Sequence, residues 1–479
     1  MELGYEMKEI FKNYTLNLGY QFITLIIPFI SIPYLSRVLG PGNIGIEVYT
    51  LSITSIFISL VNSGTNVYST RQVAFIKNDI ERLKKEVYCI FLLRILLSII
   101  SMLLFIITIN ELDYKNIFLI QAVFLLGSTF LDCTWYFIGK EQFKIIIFRN
   151  LFIKVIGLGL ILICVKDEKD LWIYVSINAL TIVIPNISLL ILFFKEIGMP
   201  QKKYFKIEYF NILFRGIYPF MIIGFVTQVY MNIDKIILES KQYIYELGLY
   251  SQFIKSYSVF LAPITSLGTI LMPRLSNTSE KKEMIVYYSS NFIFLLCIPI
   301  FFGLLGISEE FVPIFYGIEF LNYVFLFEFG LILIITGSFS NIIVQQIIFP
   351  NNLEKIYNKA LLIATIIRVS ILILFVDELN VFAAVLGYII SEICLLAFCA
   401  IKAKGIIGYE NLFLNVNKYK IILSGFAMYL LIKFLVNSSL IVEIILGILI
   451  YLVFLFIFKE KIIFILLDKI KYFLKIVFK

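Results

Sequence analysis

The sequence predicts an all-α polytopic membrane protein of about fourteen transmembrane helices, built as two parallel-repeat six-helix lobes around a central cavity. Three observations carry that prediction. The 479 residues are 60% hydrophobic and only 15% charged, with a mean hydropathy of +0.95. Soluble domains usually carry about a quarter charged residues. Apolar runs long enough to cross the hydrocarbon layer recur along the whole chain, and the alternating pattern of a membrane β-barrel is absent. Lysine and arginine concentrate in every second loop, as membrane topology requires.

The spans are expected at 15–36, 44–66, 87–109, 117–138, 150–165, 171–194, 216–238, 248–272, 287–307, 321–349, 361–376, 381–401, 421–436 and 441–458. The last two are short enough to suggest a re-entrant hairpin instead. The first fourteen residues mix Glu2, Glu6 and Glu9 with Lys8 and Lys12. No small-residue cleavage site follows, so the first apolar run reads as a span and not as a signal peptide. Pro28 and Pro33 mark it as the helix best suited to bend. The closing segment 459–479 places Asp468, Lys471, Lys475 and Lys479 opposite Ile and Phe, which predicts an amphipathic helix on the inner leaflet.

The loop set shared with both termini holds 30 Lys and Arg, the opposite set 5. That skew places both termini in the cytoplasm and supports an even number of spans. The net charge of +8 therefore belongs to membrane topology, not to nucleic acid. No histidine is present, which excludes histidine-based acid–base catalysis and histidine metal sites. Six cysteines lie in apolar runs without a CxxC pair and read as packed free thiols. No Walker A loop and no loop large enough for a soluble catalytic domain occur. The expectation is a transporter with no cofactor, metal or catalytic residue.

The chain also repeats itself. "SRVLGPGNIGIEVYT" at the end of span 1 is echoed by "DKIILESKQYIYELGLYSQ" at the end of span 7, and "SGTNVYSTR" in span 2 by "LGTILMPR" in span 8. Parallel repeats of six spans define lobes at 1–194 and 216–401 with a linker at 195–215, followed by spans 13 and 14 at 421–458 and the tail. Transporter sites tend to lie where such repeats meet.

Charges within spans need a reason, because each costs about 2.5–3.5 kcal/mol on insertion scales. Lys154, Lys433 and Glu443 lie near span ends, where long stems snorkel. Arg94 with Asp132, and Arg368 with Glu392, sit on neighbouring spans. Each set reads either as a helix-joining pair or as a substrate contact. Asp234 and Glu328 join Asp132 and Glu392 as candidates for ion pairing or coupling. Arg37, Lys235 and Lys255 lie toward the outer ends of spans 1, 7 and 8, and Arg71 and Arg274 at the inner ends of spans 2 and 8. With Arg368 they form a candidate pathway for an anionic cargo, since arginine offers phosphate a two-pronged donor.

"PYLSRVLGPGNIG", "DCTWYFIGKEQFKIIIFRN", "YPFMIIGFVTQVYMNIDKIIL" and "FYGIEF", in that order, resemble the Wzx-type O-antigen and capsule repeat-unit flippases. That family shares a superfamily with lipid II flippases and multidrug-and-toxin extruders. The resemblance implies alternating access and an undecaprenyl-pyrophosphate-linked oligosaccharide as cargo, in the bacterial cytoplasmic membrane. By motif position Arg37 resembles a cavity arginine of the lipid II flippases. Expected partners are the polyprenyl-linked oligosaccharide, membrane lipids, and the polymerase and chain-length regulator of such a pathway. A cation-coupled multidrug extruder is the alternative, although proton-coupled extruders need a carboxylate in span 1 and residues 15–36 hold none. A polysaccharide polymerase or acyltransferase is weaker still, since a large outer loop and a histidine-bearing site are both missing.

Overall fold

In lipid a backbone must satisfy its own hydrogen bonds, and the long apolar runs do so as helices. The computed structural model describes residues 26–199, 207–277, 282–404, 416–435 and 439–459. The tail beyond residue 459, the first part of span 1 and residues 200–206 of the linker lie outside the described residues. Twelve described helices are long and apolar enough to cross a membrane. They match the expected spans 2–12 and 14 one for one. Two further helices complete the set. Ile26–Val38 is the described part of span 1. Val416–Leu435 is span 13, made less apolar by Lys418, Lys420 and Lys433.

By internal contacts the chain divides into Met1–Ser251 and Gln252–Lys479. The first unit contains α1 (Ile26–Val38), α2 (Gly40–Ile76), α3 (Ile80–Ile109), α4 (Lys115–Thr129), α5 (Thr134–Gly139), α6 (Phe143–Cys164), α7 (Leu171–Ile197), α8 (Ile207–Ser240) and the first turns of α9 (Ile244–Asn277). This division by contacts follows span 7, while the repeat expected from the sequence turns over near 195–215. A seam of small residues explains why. A side chain on Gly224 would strike Ser63, one on Gly64 would strike Met221 and Ile217, and one on Gly216 would strike Tyr68. These glycines let α8 lie against α2 along its length, the close approach on which helix association in lipid depends.

The corner between α1 and α2 follows from "LGPG". Gly40 has φ +71, which favours glycine, and Pro41 starts the next helix in its first turn. This corner meets its repeat counterpart reciprocally. A side chain on Gly45 would collide with the carbonyl of Ile244, and one on Gly248 with the carbonyl of Pro41. Each glycine faces the residue four positions before the other, the pattern of a two-fold-related contact.

Other ends are fixed by capping. Asp79 accepts the Arg82 amide at 3.1 Å at the start of α3. Tyr88 ties α3 to the C-terminal end of α7 by donating to the carbonyls of Ile197 and Gly198 at 3.0 and 2.9 Å. Around it Trp135, Tyr136, Phe137 and Phe193 pack edge to face. Large apolar residues such as Ile107 and Leu374 stay exposed, as lipid-facing positions should.

The second unit continues through α9, α10 (Lys282–Gly306), α11 (Ser308–Tyr316), α12 (Val324–Gly330), α13 (Ile332–Ser340), α14 (Glu354–Leu379), α15 (Val381–Ala403), α16 (Val416–Leu435) and α17 (Leu440–Ile457). Span 10 is its least regular element. A 3₁₀ turn, α12, α13 and a π-helical stretch Asn341–Ile348 follow one another. Spans 13 and 14 are two separate helices seated on α10. Gly425 lies against Ile298 and Phe302, and Tyr451 donates to the Leu295 carbonyl at 3.1 Å. Glu443, expected at an interface, is instead buried in the first turn of α17, where a carboxylate suits the helix N-terminus.

Candidate functional site

The charges inside the spans sort into three settings. The first is a closed node in unit one. Helix α3 carries Arg94 to mid-span, and span 4 breaks between α4 and α5 at residues 130–133. The break places Asp132 where Oδ1 accepts the Thr134 amide at 2.8 Å and Oδ2 accepts Arg94 Nη2 at 3.2 Å. Arg94 also donates to Thr65 Oγ1 at 2.6 Å, to Asn62 Oδ1 at 2.9 Å and to Asn66. The node therefore joins α2, α3 and the broken span 4. With Arg94 only 1% exposed, its donors serve the helices and not a ligand.

The second setting is the C-terminal end of α8. Asp234 is buried and accepts the Tyr250 hydroxyl. Lys235 next to it is half-buried, its ammonium donating to Asn232 Oδ1 at 2.9 Å and the Met231 carbonyl at 3.0 Å. In the neighbouring turn the Tyr114 phenol is pushed up, first by burial and then by the charges of Glu239 and Asp113. Arg37 is exposed at the end of α1. Arg71, also exposed, lies at the other end of α2 with its guanidinium 5.7 Å from the Phe75 ring centre. From Gly40 to Arg71 the helix rises roughly 46 Å. No single pyrophosphate can touch Arg37 and Arg71 together.

The third setting is in unit two. Glu328 accepts the Ser308 hydroxyl. Lys255 is half-buried on α9 and Arg274 is exposed near that helix's other end, roughly 28 Å further along. Arg368 is buried with its guanidinium 3.9 Å from the centre of the Tyr388 ring, a cation–π contact. Tyr388 and Glu392 together line a cavity of about 320 Å³ formed by α9, α13, the π-helical stretch, α14 and α15. The geometry thus joins Asp132 to Arg94 and sets Arg368 against Tyr388, which with Glu392 lines one cavity. The other candidate cations, Arg37, Arg71, Lys235, Lys255 and Arg274, do not line this cavity.

A search for charges alone misses the neutral polar residues. Asn62, Thr65 and Asn66 complete the Arg94 node. Asn341 donates to the Thr265 carbonyl at 3.1 Å across a gap that Gly268 keeps open. The dense Ser, Thr, Asn and Gln content of "TGSFSNIIVQQ" in span 10 is the sequence signal that marks this region.

Residues 10–279 match the family described as "Polysaccharide biosynthesis protein". A Shigella dysenteriae protein assigned as an O-antigen transporter is 24% identical over 383 residues, covering 78% of this chain and 94% of that one. The solved structure of the lipid II flippase MurJ in an inward closed conformation superposes with a TM-score of 0.72 at 16% identity, over 94% of this chain and 99% of that chain. An inward-facing multidrug resistance MATE family transporter of the MOP superfamily gives 0.54 at 11% identity, over 80% and 98%. At these identities the two structures establish a shared transporter fold.

Proposed function

The chain belongs to the polysaccharide biosynthesis protein family, and on that premise we propose that it flips an undecaprenyl-pyrophosphate-linked oligosaccharide from the inner to the outer leaflet by alternating access. It is a multi-pass membrane transporter and not an enzyme. The observation that carries the finer reading is the relative assigned as an O-antigen transporter, which matches 78% of this chain. The lysine and arginine count supports termini in the cytoplasm, and the O-antigen transporter relative supports a bacterial cytoplasmic membrane.

In this reading Arg71 and Arg274 meet the pyrophosphate on the inner side, and Arg37, Lys235 and Lys255 hold it on the outer side. Their separation makes the contacts successive. Arg368, buried within span 11, is a further candidate contact. Carrying the headgroup bare through hydrocarbon would cost more than the membrane potential returns, about 2.3 kcal/mol per charge per 100 mV. The cations lower that cost, and outward movement of an anion runs with an inside-negative potential. Asp132, Asp234, Glu328 and Glu392 keep candidate roles in ion pairing or coupling. The polymerase and chain-length regulator of the pathway are proposed partners.

The test measures outer-leaflet appearance of labelled lipid-linked oligosaccharide in proteoliposomes of controlled polarity. Arg37→Ala is expected to abolish transport, Arg37→Lys to retain part of it, and collapse of the potential to slow the wild type. Unchanged transport in Arg37→Ala would reduce that arginine to an interfacial anchor.

A further inference from the structure

The cavity in the second unit has no assigned role, and its lining is unusual for a wall inside a membrane. Ser258, Thr265 and Thr269 line it from one face of α9, at helical spacing. Gln345 enters from the π-helical stretch, and Tyr388 and Glu392 from α15. A π-helical turn widens a helix and often marks a functional position. Here it brings Asn341 and Gln345 to the same wall. These groups share the wall with Leu261, Leu333, Val344 and Phe349, so the space suits a ligand with both polar and apolar faces. At about 320 Å³ it has room for roughly ten waters, and it sits at the lower end of the roughly 300–1,000 Å³ usual for small-molecule pockets.

The charge balance selects among ligands. Among the described residues the lining holds one carboxylate, Glu392, and no lysine or arginine. A pyrophosphate would meet that carboxylate with no cation in the wall to offset it. A metal ion would find a single carboxylate, with the Arg368 guanidinium behind Tyr388. Among the described residues no cluster of three metal-ligating side chains exists. What remains is a neutral, hydroxyl-rich molecule. Serine and threonine hydroxyls on α9 donate back to their own helix, as Ser258 does to Lys255 at 2.6 Å and Thr265 to Ala262 at 3.2 Å. Each then offers acceptor lone pairs outward. A carboxylate accepts from two neighbouring hydroxyls at once, and an amide both donates and accepts. Tyr388 adds a ring held in place by Arg368 at 3.9 Å.

We propose that this cavity is a saccharide subsite that receives one neutral pyranose ring of the cargo, with Glu392 and Gln345 binding its hydroxyls and Tyr388 packing against its apolar edge. The proposal rests on the flippase reading and adds to it the part of the cargo that is read and the place that reads it. Headgroup cations would then supply grip, and this cavity discrimination between glycans.

Two measurements on the full-length protein in lipid nanodiscs and proteoliposomes test it. The first is saturation-transfer NMR with methyl pyranosides of the neutral sugars found in the host's own surface polysaccharide. At least one should show transfer to its ring protons, lost in Glu392→Gln and in Gln345→Ala. The second is flipping of the host's lipid-linked oligosaccharide. Tyr388→Ala and Glu392→Gln should slow it roughly tenfold, while Tyr388→Phe keeps the ring and most of the rate. Gln345→Ala guards against a folding artefact in the α15 variants. Sugar transfer from none of the pyranosides, or wild-type flipping in Glu392→Gln and Gln345→Ala, overturns the subsite and leaves the flippase standing. A wild-type protein that binds a pyranoside but flips no lipid-linked oligosaccharide overturns the flippase reading instead.

Discussion

Arg94 and Arg368 are both 1% exposed and both lie inside spans, yet their surroundings differ. Arg94 meets a carboxylate, two asparagines and a threonine in a knot that joins three spans. Arg368 lies over an aromatic ring whose other surroundings include a polar cavity. The sequence pattern is the same in each, a basic residue on one span and an acidic one on a neighbouring span. What differs is the neutral company, and that separates a charge consumed by architecture from one placed beside an open space.

The largest effect expected from this contrast is on folding. Arg94→Ala would strand Asp132, 7% exposed, without its cation. Removing one member of a buried pair costs roughly 3–5 kcal/mol, well above the roughly 0.6 kcal/mol average of a single interhelical hydrogen bond in lipid. Detergent-resisted unfolding should show that loss, and so should Asp132→Ala. Wild-type stability in Arg94→Ala would break the comparison, because Arg94 would then be no more structural than Arg368. The double variant Arg94→Met, Asp132→Leu sharpens it further. Buried pairs can be replaced by apolar residues at little cost. The double variant should therefore be more stable than either single one.

The contrast also shows what the sequence made legible. Span number, order and position could be read, because hydropathy reports directly on the lipid environment. The list of buried charges could be read too, for the same energetic reason. Neither the break in span 4 nor the π-helical stretch in span 10 leaves a hydropathy signature. At both places a side chain arrives from another helix, Arg94 in the first case and Ser289, which donates to Gln346, in the second. The division after Ser251 was hidden in the same way. Repeat symmetry placed the boundary near 195–215, but the fit of Gly216 and Gly224 on Tyr68 and Ser63 is a matter of shape that repeat spacing does not encode.

A smaller effect tests the closeness of that seam. Gly224→Val would drive a branched side chain into Ser63, and overpacking of this kind typically costs about 1–3 kcal/mol. Gly42→Val is the control, since a side chain there meets nothing within 4 Å. Equal stability of the two variants would mean that α2 and α8 separate at little cost, and that the Arg94 node alone holds α2 in place.

The finest discrimination comes from exchanging arginine for lysine at both buried positions. Arg94 uses both terminal nitrogens, Nη1 toward Thr65 and Nη2 toward Asn62 and Asp132. A lysine ammonium is a single point of charge on a shorter reach and cannot span those acceptors. Each charged hydrogen bond lost is worth about 1.5–3 kcal/mol, so Arg94→Lys should be measurably destabilised. At position 368 the ring-face contact is one of the interactions of the guanidinium, and that contact asks for a cation near the Tyr388 centroid. Lysine can supply that, and the contact itself is worth about 2 kcal/mol at most when desolvated. Arg368→Lys should then lose under about 1 kcal/mol and hold its thermal midpoint near that of the wild type, because part of the contact survives. Its flipping rate should still fall, since lysine leaves Tyr388 less firmly backed beside the cavity. A stability loss as large as that of Arg94→Lys would show that Arg368 is a second architectural knot, and the distinction between the two arginines would disappear.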